Sequence, residues 1–197
     1  MGHRALRWSP DIRTVILISN YKSHLRDRSG SEQGSTSTSA GPIATSAAHG
    51  LELEALASPF AHQLDVTVNR LLAAGKVVVL VYPLPDLDFR APWVIGRLLT
   101  SGKDPASKSV SFADFQDSQE EVFAILDRLG VSGRVLRVYP HRRLCDEERC
   151  LVYANKAILY RDDNHLSSAG AAFVMPALAP VFDDDTMQTS ATGERKR

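Results

Sequence analysis

Apolar residues along the chain gather into short unbroken runs, with stretches of helical spacing between them. Residues 13–19 read Arg-Thr-Val-Ile-Leu-Ile-Ser, a β-branched run that predicts a buried strand. From 58 to 74, Phe60, Leu64, Val68, Leu71 and Leu72 recur at helical spacing, and Gly75 follows where a C-terminal cap belongs. A second buried strand is predicted over 76–82, stopped by Pro83 and Pro85. Residues 86–111 read as an irregular surface excursion over one end of the sheet. A helix over about 112–129 stops at Gly130, and a third strand over 134–139 stops at Pro140. Residues 157–160 suit a short strand or extended segment. Ser167 is placed to N-cap a last helix reaching 182, which Pro176 and Pro180 must kink or shorten.

Helices that alternate with short, continuously apolar strands predict an α/β domain whose parallel sheet is covered on both faces. Ligands of such sheets bind beyond the carboxyl ends of the strands. Asn20, the loop from Pro83 to Pro85 and the segment after Tyr139 all fall there. The expected domain spans 1–182. Within it, residues 29–50 are rich in Ser, Thr, Gly and Ala and read as a mobile insertion, because they offer too little apolar surface to offset their ordering cost. Residues 183–197 read as a frayed tail.

Composition narrows the function. The 197 residues are 44% hydrophobic, enough for one domain with a sizeable core. Lys+Arg and Asp+Glu each total 23, so the net charge of zero gives no electrostatic case for nucleic acid as a partner. No stretch approaches the roughly 20 apolar residues of a membrane-spanning helix, and the N-terminus lacks the apolar core of a secretory signal. No Gly-rich phosphate loop and no metal-ligand cluster appears, so neither a cofactor nor a metal is expected.

The two cysteines, Cys145 and Cys150, enclose Asp-Glu-Glu-Arg. Two ligands fall short of a structural zinc site. A short disulfide and two unrelated thiols are both open; the polar intervening residues suit an exposed, bridged loop. A bridge would place the domain in an oxidising compartment. The run Tyr160-Arg161-Asp162-Asp163-Asn164-His165-Leu166-Ser167 carries the sharper chemistry. An aspartate three residues before a histidine can turn back to accept the imidazole Nδ1–H, leaving Nε2 as a base. The plainer reading makes Asp162 and Asp163 solvated loop acids and His165 a helix-start residue. A metal held by Asp162, Asp163 and His165 is a third, weakened because no second histidine lies nearby.

The cysteine pair followed by Leu159-Tyr160-Arg161-Asp162-Asp163-Asn164-His165-Leu166-Ser167-Ser168-Ala169-Gly170-Ala171 resembles the C-terminal block of SGNH-type hydrolase and acyltransferase domains. It is most similar to those fused to membrane-bound O-acyltransferases of the acyltransferase-three family. The runs at 15–21 and 76–85 resemble that family's third and next strands. The resemblance implies a three-layer, mostly parallel, flavodoxin-like sheet, here lacking its first strands. It implies His165 as general base, Asp162 as its orienting carboxylate and Asn20 as an oxyanion donor, although Asn20 also suits an ordinary strand-end turn. The fused-domain subfamily has Arg-Trp where Asn20 and Tyr21 stand.

SGNH enzymes carry their nucleophile in Gly-Asp-Ser after the first strand, and no Gly-Asp-Ser occurs in these residues. Ser19 and Ser23 are nearby hydroxyls outside any such turn. Loss of a central first strand would also expose unpaired backbone on its neighbour. The expected protein is therefore the C-terminal part of an ester hydrolase or O-acyltransferase domain, truncated and impaired. By resemblance it would pass acyl groups, acetyl among them, from an acyl donor to a cell-surface glycan acceptor or to water. It would sit in the periplasm or otherwise outside the cytoplasm, tethered by a membrane acyltransferase domain. The alternative is a degenerate, non-catalytic module that binds a glycan or protein partner. Trp8, Trp93 and Tyr139 are its candidate stacking rings, unless they are partly buried packing.

Overall fold

The computed structural model describes residues 9, 11–26, 58–130 and 134–183. The insertion expected at 29–50, the tail beyond 183 and Trp8 lie outside them. Three parallel strands form the central sheet in the order β1–β2–β4, with β1 at Thr14–Leu17, β2 at Val77–Val81 and β4 at Val135–Val138. Register runs from Thr14 opposite Val77 on one side of β2, and from Val78 opposite Val135 on the other.

Strand β2 shows why its sequence is uninterrupted Val-Val-Val-Leu-Val: all five residues are buried. Successive side chains leave opposite faces of a strand. Val78 and Leu80 pack with helices α2 (Pro59–Ala73) and α4 (Phe112–Arg128), through Val68, Leu71, Val122 and Leu126. Val79 and Val81 turn to the other face, against Val138 and the 3-10 segment Met175–Val181 through Val181. Both faces are thus covered, and the predicted α/β sheet is the one observed.

Local signals also place helix ends. The Ser58 side chain accepts from the Ala61 N–H at 3.0 Å. At the other end of α2, Gly75 adopts φ +75° while its N–H reaches Leu72 O at 2.9 Å and the Lys76 N–H reaches Leu71 O at 3.0 Å. That pair of bonds is a Schellman cap, and its left-handed position explains the glycine.

Two expectations need correction. Residues 86–111 are not wholly irregular: helix α3 spans Ala91–Thr100, and strand β3 spans Ser109–Ser111. Pro92 stands in the first turn, where no backbone N–H is required, so it begins the helix rather than breaking it. The run at 13–19 is not fully buried either. Among the described residues β1 pairs only with β2, and Ile16 and Ile18 are exposed.

A second hydrophobic cluster, separate from the sheet, joins Leu87, Ala91, Ile95, Leu144, Val152, Leu159, Tyr160 and Val174. Around it lie α3, the short α5 (His141–Leu144), α6 (Ser168–Val174), and antiparallel β3 with β5 (Arg149–Leu151). Strands β6 (Tyr153–Ala154) and β7 (Ala157–Ile158) form a hairpin whose turn residues Asn155 and Lys156 have φ of 51° and 61°. Two consecutive left-handed residues suit the twist of a tight hairpin. The segment predicted at 157–160 therefore pairs with its neighbour in this hairpin and stands apart from the main sheet. The last helix is shortened as its prolines require: α6 ends at Val174 and the chain continues as 3-10 turns.

Candidate functional site

The loop between β7 and α6 is closed on itself. Tyr160 and Leu166 form an antiparallel bridge, and the Arg161 N–H reaches His165 O at 2.8 Å. Inside the loop, Asp162 Oδ1 accepts from the backbone N–H of Asn164 at 3.0 Å and of His165 at 2.7 Å. The same carboxylate meets His165 Nδ1 at 2.9 Å through Oδ2 and 3.1 Å through Oδ1. Hydrogen bonds from Asn164 and then His165 backbone pull the Asp162 pKa down to about 2. An ionised carboxylate only accepts, so Nδ1 is the nitrogen that donates to Asp162, and Nε2 is the one left facing away from it. The Asp162 and His165 side chains are 26% and 62% exposed, so the imidazole is open to a substrate while its partner is half-sheltered.

Neighbouring structure fixes this loop in place. Leu87 N–H donates to Asp163 O at 2.7 Å, and Ala91 N–H to Asp162 O at 3.4 Å. Ser167 caps α6 by accepting from the Gly170 N–H at 3.1 Å and donates its own proton to Ile158 O at 2.7 Å. A Cβ on Gly170 would stand 1.9 Å from Leu159 O, so only glycine lets α6 approach β7 this closely.

His165 opens onto a cavity of about 360 Å³ at the carboxyl ends of the parallel strands. Ile18, Ser19 and Asn20 follow β1 into its wall, Tyr82, Pro83 and Leu84 follow β2, and Pro140 follows β4. The chain thus brings Asn20 and His165 to one cavity. Asn20 also shapes the turn into α1 (Tyr21–Arg26), its carbonyl accepting from Ser23 Oγ at 2.7 Å. Cys145 and Cys150 are joined, with S–S 2.08 Å, beside the second cluster. Among the described residues no three His, Cys, Asp or Glu side chains gather as metal ligands would. No helix among them is long and apolar enough to cross a membrane.

Three side chains near these cavities, Gln119, His24 and His141, are not singled out by the sequence. Gln119, buried on α4, reaches the cavity, and its Oε1 has no hydrogen-bond partner among the described residues. Ser19 Oγ lies 3.1 Å from His24 Nε2. His141, just past β4, is buried in a ring of Phe115, Phe123 and Tyr139. Burial first, then the Arg142 charge, pushes its pKa down to about 4 against an opposing backbone hydrogen bond with Pro83. It lines a second cavity of about 320 Å³ with Tyr82, Asp127 and Tyr139. A histidine directly after a strand-ending proline is the signal that could have found it. Of the candidate stacking rings, Tyr139 is half-buried under Arg142, whereas Trp93 is 63% exposed on α3 with the Arg97 guanidinium 4.9 Å from its ring centroid.

The family model described as SGNH domain (fused to AT3 domains) matches residues 2–180. Comparison with curated proteins gives no match. Among solved structures, the chain is similar to the lipopolysaccharide acetyltransferase periplasmic domain of Salmonella ser. Paratyphi A, at 16% identity and a TM-score of 0.47. That similarity covers 66% of this chain and 49% of the other, so the chain spans about half the length of that structure.

Proposed function

The chain belongs to the family of SGNH domains fused to AT3 domains, and on that premise we propose that its cleft handles acyl groups carried on glycans. Asp162 and His165 form the proton-shuttling half of an ester hydrolase or O-acyltransferase site. The observation that carries this is the carboxylate meeting His165 Nδ1 at 2.9 Å, with the ring opening onto a cavity at the sheet's carboxyl end. His165 Nε2 takes the proton of an attacking hydroxyl and returns it to the departing oxygen, and Asp162 holds the tautomer and stabilises the imidazolium. Asn20, across the cavity, donates its carboxamide to the oxyanion.

The 197 residues contain no Gly-Asp-Ser. Losing one member of a nucleophilic relay removes most of the rate, while binding and the remaining electrostatics survive. Turnover by this chain is therefore slow. The Cys145–Cys150 disulfide supports an oxidising, extracytoplasmic setting, in which the acceptor is a cell-surface glycan and the tether a membrane acyltransferase domain. A second reading, a non-catalytic glycan-binding module, draws on exposed Trp93.

Hydrolysis of p-nitrophenyl acetate separates the two. We expect slow hydrolysis by the chain, reduced at least about 10²-fold by His165→Ala. A rate indifferent to that substitution overturns the esterase reading, and saturable glycan binding without turnover favours the module.

A further inference from the structure

We infer that Ser19 is the acyl-accepting nucleophile of this cleft and His24 its base, an assignment that rests on the cleft handling acyl esters. Ser19 Oγ and His24 Nε2 are 3.1 Å apart, and Ser19 stands on the wall of the cavity that His165 also lines. Among the described residues it is the one serine hydroxyl whose partner is an imidazole. Other serines nearby are bonded to backbone: Ser23 Oγ donates to Asn20 O at 2.7 Å, and Ser167 Oγ to Ile158 O at 2.7 Å.

Both residues of the pair are exposed, and what fixes their spacing is the anchoring of α1 and of the His24 ring. Tyr21, buried, donates its hydroxyl to Leu17 O at 2.9 Å and so ties α1 back onto the end of β1. The His24 ring stacks on Phe60 of α2, with centroids 5.1 Å apart and planes at 11°. A hydroxyl at a strand end and a base on the following helix are thereby kept at hydrogen-bond distance, the arrangement an activated serine requires.

The chemistry divides between two histidines. Ser19 Oγ attacks the carbonyl carbon of an acyl ester and forms the new C–O bond, while His24 Nε2 takes the hydroxyl proton. The carbonyl electron pair moves onto its oxygen, beside the Asn20 carboxamide. Collapse breaks the old ester C–O bond, and the leaving alcohol takes the proton from His24. The acyl group now rests on Ser19. His165 Nε2, oriented by Asp162, next deprotonates water or a sugar hydroxyl, which attacks the acyl carbon. Ser19 Oγ departs and receives the proton from His165. Both steps balance without any external reductant or oxidant.

The full chain, treated with p-nitrophenyl acetate and followed by intact mass and peptide mapping, tests this. One acetyl group is expected on the peptide carrying Ser19, absent in Ser19→Ala and present again in Ser19→Cys. Its formation should slow at least about 10²-fold in His24→Ala, and its lifetime should lengthen in His165→Ala. Hydrolysis that depends on His165 but is indifferent to Ser19→Ala overturns the nucleophile and leaves the esterase reading standing. An adduct on Ser19 whose lifetime ignores His165→Ala keeps the nucleophile and removes His165 from the second step. A wild-type chain that neither hydrolyses the ester nor acquires an adduct overturns both.

Discussion

The two walls of the cleft differ in how firmly they are held. On the C-terminal side, Leu159 and Tyr160 are fully buried, a disulfide closes the Cys145–Cys150 loop, and the Asp162 carboxylate takes two backbone N–H groups besides the imidazole. On the β1 side, a single four-residue strand has a partner on one edge only among the described residues, and Ile18 beyond it is 69% exposed. Hydrogen bonds that over-determine a loop hold its side chains in one orientation, the kind of pre-organisation that the proposed role of His165 as a base would need. An edge strand with exposed apolar residues is the kind of surface that proteins ordinarily cover. The wall bearing His165 is thus the more firmly held, whereas the wall bearing Ser19 and Asn20 leans on β2, Tyr21 and Phe60.

Perturbing each wall should break this contrast or sharpen it. The largest effect is expected for Gly170→Ala, where the new methyl meets the Leu159 carbonyl and α6 must move. Thermal denaturation should report a loss of about 3 kcal/mol, the upper end of overpacking costs, and an unchanged melting temperature would show that the α6 contact is slack. Reducing the Cys145–Cys150 bridge comes next. Its sequence separation of 5 closes a small loop, and the chain-entropy model gives about 2 kcal/mol for one of that size. Melting with and without reductant measures it.

Acid should then loosen the molecule in two stages. His141 has its folded pKa at about 4, below its ordinary 6.5, so the unfolded chain binds a proton that the folded one refuses. Its share of stability is complete above pH 6.5 and disappears as pH falls through 4. Asp162 is depressed from 3.8 to about 2, so its share is complete above 3.8 and disappears as pH falls through 2. Melting temperature followed against pH should lose its upper slope in His141→Phe and its lower slope in Asp162→Asn. The smallest effect belongs to the β1 wall: Ile18→Ala should change stability by no more than about 0.5 kcal/mol, as exposed substitutions do. A larger loss in urea titration would mean that Ile18 is covered in solution.

Much of this was legible from residues near one another in sequence. The five-residue apolar run of β2 implied burial on both faces, Gly75 marked the end of α2, and Ser167 marked the start of α6. Asp162 and His165 are three residues apart, close enough for one turn to bring carboxylate and ring together. Helix α3 reads as irregular in the sequence because its proline and glycine mimic a loop, while its buried residues, Ala91 and Ile95, make too narrow an apolar stripe. The Ser19–His24 contact is not legible in the sequence for another reason: it crosses from a strand end into a helix, where neither period applies.

Sequence by itself determined what backbone geometry controls over a few residues: strand faces, helix caps and the aspartate–histidine turn. Tertiary structure alone decided that Asn20, Ser19 and His165 share one cavity, that β1 is an edge, and that His141 is buried among aromatic rings. Those facts depend on which surfaces meet after the chain closes over long separations. Apolar periodicity says that a face must be covered, but only packing chooses what covers it.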